Sequence, residues 1–238
     1  MNLAVVRPGF IQTSSDAGVE ELWPTCSLLE RDGLRALVDL AHPGEDPKVL
    51  LHALGARGLA PADIAVVLLT HLHPDHIGHK ALFRDALFVF HESERLAFYF
   101  RGERALKLSG NALVELTPEG LSRPRDMAGW PALDELGQRI YVRHCPGHTP
   151  GSLVYFACVD GRVHAIAGDI ILDREHFERG APPGSSWRPE LIPEQMRIIA
   201  ARADVIVPGH GTAFRGRRGR AQEATALREI RGTIGGGR

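Results

Sequence analysis

The feature that most restricts what this chain can fold into is a continuous apolar run, Ile64-Ala65-Val66-Val67-Leu68-Leu69, leading directly into Thr70-His71-Leu72-His73-Pro74-Asp75-His76. A short run without polar alternation reads as a strand covered on both faces, as in sheets flanked by helices. The polar segment behind it then lies at the strand's carboxyl end, where α/β folds tend to gather their sites. In extended backbone, residues two apart point the same way, and Pro74 biases His73 towards that conformation. His71, His73 and Asp75 are therefore expected to face one cavity. His76 breaks the alternation, which fits a chain turning into a helix through Ile77 to Leu82, so that its ring reaches a second point nearby.

The rest of the chain extends this pattern. Leu28 to Glu30 and Leu34 to Asp39 flank the turn sequence Arg31-Asp32-Gly33 and predict a hairpin. Asp46-Pro47 supplies a helix start, Val49, Leu50, Ala53 and Leu54 one apolar stripe, and Gly58 a stop. Further buried runs span Leu87 to Phe90, Ile140 to Val142, Leu153 to Ala157, Val163 to Ala167 and Val205 to Val207. Helical periodicity covers Glu92 to Phe100, Pro193 to Ala203 and Ala221 to Arg231. Strands that mix hairpins with helical crossovers predict sheets covered by helices, an α/β architecture. Gly102 to Leu136 and Leu172 to Leu191 read as irregular loops, and the tail 232–238 as frayed.

With 238 residues, 44% hydrophobic and 24% charged, the expectation is one domain over 1–238 with its own core. Lys plus Arg number 28 against 29 Asp plus Glu, a net charge of -1, so no global field draws polyanions and nucleic acid is the less favoured partner. The amino-terminal segment lacks a basic start followed by an apolar stretch, and no apolar run approaches spanning length, so a cytoplasmic protein without membrane attachment is expected. Cys26, Cys145 and Cys158 are widely spaced with no CxxC, which excludes a thiolate zinc cluster and a disulfide framework as readings.

Three imidazoles and a carboxylate in one loop are ligands suited to zinc, and with less preference to iron or manganese. Three more candidates follow strands in order. His148 lies in Cys145-Pro146-Gly147-His148-Thr149-Pro150-Gly151-Ser152, whose glycines let backbone approach a ligand. Asp169 follows Ile166-Ala167-Gly168, and His210 stands in Pro208-Gly209-His210-Gly211. His79, one turn past His76, is a candidate for support of a ligand. Arg215 to Arg220 is a basic cluster that reads first as a solvated face.

The ordered set HLHPDH, PGHTPGS, GD and PGHG resembles the metallo-β-lactamase superfamily over about residues 25–214. That resemblance implies an αββα four-layer sandwich of two mixed sheets flanked by helices, with two divalent metal ions at one edge. Carried over by position, His71, His73 and His148 bind one ion, Asp75, His76 and His210 the other, and Asp169 bridges them. Two dications about 3.5 to 4 Å apart repel, and a shared carboxylate and hydroxide offset part of that repulsion. The hydroxide is the expected nucleophile, and Asp75 the expected catalytic residue, orienting it or moving its proton. Because ligation needs neutral imidazoles, occupancy should fall below about pH 6. The second strand ends Asp39-Leu40-Ala41 where the family commonly has Asp-Thr-Gly, a change expected to alter local packing without removing a ligand.

The segment after His210 is too short for the helical domain of glyoxalase II enzymes, and nothing resembles a flavodoxin half or a second nuclease domain. The first reading is therefore a dinuclear hydrolase of a small ester, thioester, lactone or amide. The run Ala203 to Gly211, with Phe214 after it, is also similar to small animal metallo-β-lactamase-domain proteins linked to histone-message cleavage. A metal-dependent phosphodiesterase or ribonuclease is thus the alternative, beside a mononuclear iron oxidoreductase resembling persulfide dioxygenases.

Overall fold

Most strands of this chain carry apolar side chains on both faces, so the sheets they form need a cover on each side. The computed structural model describes residues 1–13, 20–91, 93–94, 113–117, 120–121 and 140–216. The chain opens with β1 (Asn2–Arg7), a separate hairpin of β2 (Phe10–Thr13) and β3 (Glu20–Trp23), then β4 (Cys26–Arg31) and β5 (Leu34–Val38). Helix α1 (Pro47–Gly55) crosses to β6 (Val66–Leu68), followed by β7 (Leu87–His91), β8 (Leu113–Thr117) and β9 (Gly120–Leu121). Among the described residues these strands form one mixed sheet in the order β1-β4-β5-β6-β7-β8-β9, parallel from β5 to β8. A second sheet takes β10 (Ile140–His144), β11 (Leu153–Val159), β12 (Arg162–Ile166), β13 (Val205–Val207) and β14 (Phe214–Arg215), with α2 (Arg174–Arg179) and α3 (Ile192–Arg202) between β12 and β13.

Alternate side chains along β4 to β7 and β11 to β13 sort into three apolar interiors. Leu28, Leu37, Val67, Phe88 and Phe90 pack with Leu50 and Leu54 of α1. Leu29, Ala36, Val38, Val66, Leu68 and Val89 face the other way and meet Leu153, Tyr155, Ala157, Ile166 and Val207 of the second sheet. Val154, Phe156, Val163 and Ala165 pack on Ile192, Met196, Ile199 and Ala203 of the α3 segment. The result is the expected four-layer αββα sandwich, with α1 outside one sheet and α3 outside the other. Each fully buried Leu or Phe contributes roughly 1.5 to 3 kcal/mol. No helix of the described residues is long and apolar enough to cross a membrane.

Local chemistry explains most boundaries. Asp39 and Ala41, just after β5, both hold positive φ, 57° and 63°. The Asp46 side chain accepts from Lys48 N at 2.9 Å and starts α1 at Pro47. Three expectations need correction. The helix expected through Ile77 to Leu82 is instead a 3-10 turn at Pro74–His76 and another at Lys80–Leu82. Its donors are spent sideways, since Gly78 N bonds Ala41 O and His79 N bonds Leu40 O. The stretch 102–136, read as loop, contributes β8 and β9 to the sheet edge, and 172–191 contains α2. The helices expected at 92–100 and 221–231 lie almost wholly outside the described residues, as does the tail.

Candidate metal centre

The loops that matter leave their strands at one edge of the sandwich. His71 follows β6, His148 sits between β10 and β11, Asp169 lies in the 3-10 turn Gly168–Ile171 after β12, and His210 follows β13. Leu153 N donates to Thr70 O at 2.7 Å, joining the two sheets there. His73 is extended, with φ -65° and ψ 146°, and the Pro74–His76 turn then swings Asp75 and His76 away from the line of His71 and His73.

The seven side chains named from the sequence come together in two groups. His71, His73, His148 and Asp169 offer donor atoms within 4.8 Å of one another, and so do Asp75, His76 and His210. Asp169 divides its oxygens between them. Its Oδ1 lies 3.2 Å from His76 Nε2 and 3.2 Å from His210 Nε2. Its Oδ2 lies 3.4 Å from His148 Nε2 and 4.0 Å from His71 Nε2. Asp75 Oδ2 is 3.4 Å from His76 Nε2 and 3.5 Å from His210 Nε2, while His73 Nδ1 is 2.9 Å from His148 Nε2. Gly209 makes room for this convergence, because a Cβ there would overlap Asp169 Oδ1.

Buried polar atoms are normally paired, yet His71 Nε2 and Asp169 Oδ1 are buried with no hydrogen-bond partner among the described residues. Soft nitrogen and hard oxygen lone pairs aimed inward at two points form a donor set that divalent ions fit. The electrostatics agree. Burial, helped by the imidazoles of His76 and His73, holds His71 well below the usual histidine range. Burial likewise lowers His148 to about 3, against the pull of Asp169. Burial also opposes a charge on His76, but Asp169, Asp75 and Asp39 outweigh it and raise its pKa well above the ordinary value. Burial works against the Asp169 carboxylate too, and the surrounding His210, His76 and His148 reverse that and keep it ionised.

The tautomers are fixed from behind. Asp39 Oδ2 accepts from His76 Nδ1 at 2.8 Å and from Thr70 Oγ1 at 2.8 Å, and Asp39 Oδ1 accepts from Thr70 N at 2.9 Å. With its proton committed to Asp39, Thr70 Oγ1 accepts from His71 Nδ1 at 3.1 Å. Both rings are thereby left with Nε2 facing the centre, the usual way a carboxylate orients a ligating imidazole. His148 Nδ1 faces Ser186 Oγ at 3.5 Å, and Trp187 N bonds His148 O at 2.9 Å, so the loop at 181–188 backs this ligand.

Two carboxylates escaped the sequence reading in this role. Asp39 stood out there only for the unusual Leu40-Ala41 behind it, although an acidic residue ending a buried strand was a usable signal. Glu94 is buried and bonds to the loops of His71 and His148, and nothing local in the sequence marks it. His79 is buried beside Glu45 and His42; its backbone N–H bonds Leu40 O, and its Nε2 is buried with no hydrogen-bond partner among the described residues. Most of the basic cluster at 215–220 lies outside the described residues.

A family model described as the metallo-beta-lactamase superfamily matches residues 24–210. Metallo-beta-lactamase domain-containing protein 1 of Xenopus laevis is 33% identical over 190 residues, covering 76% of this chain and 68% of that protein. The Homo sapiens protein of the same name is 33% identical over 198 residues, covering 79% of this chain and 62% of that protein; the chain thus spans about two thirds of these relatives. A solved Thermotoga maritima structure superposes with a TM-score of 0.67 at 22% identity, covering 90% of this chain and 98% of that one. A Bacillus thuringiensis structure with N-decanoyl-L-homoserine bound at its active site superposes at 0.63 and 19% identity, covering 87% and 92%. At such identities the likeness is one of fold.

Proposed function

Because this chain belongs to the metallo-β-lactamase superfamily, we propose that it is a dinuclear metal-dependent hydrolase acting on a small ester, thioester, lactone or amide. The observation that supports this most is Asp169, buried with one oxygen turned to each of two donor groups. In this reading His71, His73 and His148 hold one ion, Asp75, His76 and His210 hold the other, and Asp169 serves both. Zinc is the expected metal, since imidazole nitrogens dominate the set.

Two bound divalent ions supply an acidified water as nucleophile and a Lewis acid for the substrate carbonyl. The side chains supply position and proton handling. Asp75 keeps 17% exposure while His76 and His210 keep none, so it is the carboxylate that meets solvent and substrate. It orients the attacking water and carries away the proton released. Asp39 and Thr70 hold the imidazoles of His76 and His71 without taking part in bond making.

The B. thuringiensis neighbour has at its active site an acyl homoserine, the open-chain acid that hydrolysis of its lactone would give, which is the reason to try lactones first. The test is metal analysis of the purified protein alongside lactone, thioester, ester, amide and phosphodiester substrates. Two ions per chain with turnover of a carbonyl substrate, lost in Asp75→Asn, is the expected result. Cleavage confined to phosphodiesters, or a single tightly held iron, would replace this reading with a nuclease or an oxidoreductase.

A further inference from the structure

Glu94 lies just beyond β7, outside both donor groups, and is buried to 1% exposure. Its carboxylate spends its two oxygens on two different loops. Oε2 accepts from Leu72 N at 2.8 Å, the peptide between His71 and His73. Oε1 accepts from Thr149 Oγ1 at 2.6 Å and from Gly151 N at 2.7 Å, on the loop that carries His148. The hydroxyl is itself held, since Ser152 Oγ lies 2.7 Å from Thr149 Oγ1 and accepts from Thr149 N at 3.0 Å. A second tie runs alongside. His91 stacks on His144 with ring centroids 3.8 Å apart and planes 11° apart, and His144 Nε2 donates to Pro150 O at 2.8 Å.

We propose that Glu94 is a positioning residue that sets the distance between the His71-Leu72-His73 segment and His148, and so governs one of the two ion positions without touching an ion. This rests on the metal reading above. Burying a carboxylate is costly unless its oxygens are hydrogen-bonded, and here the three bonds they accept are those fixing the two loops. Closing the loops alone could be done by apolar packing; a charged group with one oxygen for each loop also fixes their separation. His73 Nδ1 and His148 Nε2 meet at 2.9 Å across that junction. Gly151 belongs to the same device. A Cβ there would sit 2.7 Å from Glu94 Cγ, 2.8 Å from its backbone N and 2.8 Å from Oε1, so this glycine leaves space for Glu94, main chain and carboxylate alike, rather than for a ligand.

The test is zinc titration of the metal-stripped full chain against a competing chelator. The unmodified protein takes two equivalents. Glu94→Gln keeps the shape but turns an amide N–H₂ towards donors, and Gly151→Ala forces Glu94, side chain and backbone together, away from the His148 loop. Each should weaken one ion about 10- to 100-fold, the cost typical of losing a group that supports metal ligands, and leave the other unchanged. In a His210→Ala background the remaining ion should suffer that loss, and in a His148→Ala background it should not. Equal weakening of both ions, or a lower melting temperature of the metal-free protein with both affinities unchanged, would overturn the proposal. An unmodified protein that takes up no zinc would overturn the metal reading itself, and this proposal with it.

Discussion

The two donor groups share Asp169 but differ in electrostatic character. The group of His71, His73 and His148 is imidazole around one carboxylate oxygen, and burial keeps His71 and His148 neutral, His148 down to about 3. The group of Asp75, His76 and His210 is surrounded by carboxylates, and despite burial the field of Asp169, Asp75 and Asp39 favours a proton on His76. A cation entering the first group meets His71 and His148 already neutral. One entering the second meets more negative charge but must evict a proton to use the ring. In the proposed centre one shared carboxylate joins a pocket whose His71 and His148 burial keeps neutral to a pocket whose carboxylates favour a proton on His76.

Ligand removal should break the pairing most severely. His148→Ala and His210→Ala are each expected to lose one whole equivalent, leaving one ion per chain by mass spectrometry, and to abolish hydrolysis in both cases. Loss of both ions from either variant would mean that the groups are one cooperative unit rather than two.

Asp39→Asn comes next. It removes the charge behind His76 Nδ1 while preserving size, and should weaken the second ion about 10- to 100-fold. The first ion, which Asp39 reaches through Thr70, should be affected less. Chelator competition measures both.

Lowering the pH sharpens the comparison without mutation. His76 has a raised pKa, so its proton stabilises the metal-free fold below the unfolded value of about 6.5, and this contribution is lost as pH rises through the folded value. His148 is depressed to about 3, so the metal-free fold loses stability as pH falls from about 6.5 towards 3. Acid should therefore release the second ion first, with affinity there falling about tenfold per pH unit below the folded value for His76. Isothermal titration in two buffers of different ionisation enthalpy should detect more proton release for that ion than for the other. Release in the opposite order would reverse the assignment of character.

The smallest effect is expected at Ala41, whose φ of 63° is left-handed and disfavoured for any residue with a Cβ. Ala41→Gly should stabilise the fold by about 0.5 to 1 kcal/mol, raising the melting temperature by about 1 to 4 °C. The altered strand end thus carries a local strain, while Asp39, two residues earlier, keeps its role behind His76.

The layers were legible because the apolar runs at 64–69, 87–90, 153–157 and 205–207 have the length and lack of alternation of covered strands. The convergence of the seven side chains was legible because each follows such a strand in a loop of glycine, proline or alternating histidine. Asp39 and Glu94 were not, because their work depends on where β5 and β7 end relative to loops far away in sequence: Glu94 meets Thr149 across 55 positions. Residues 77–82 were misread for a similar reason. Apolar spacing there suggested a helix, but hydrogen bonds to Leu40 and Ala41 claim the backbone, and a periodicity argument has no access to those partners.

The central claim is that Asp169 joins two ions in one centre. Metal content and hydrolysis should be measured together for the purified protein and for Asp169→Ala. Two equivalents with turnover in the first, and loss of paired occupancy with loss of turnover in the second, is the predicted result. An Asp169→Ala protein that retains two ions and full activity would contradict it.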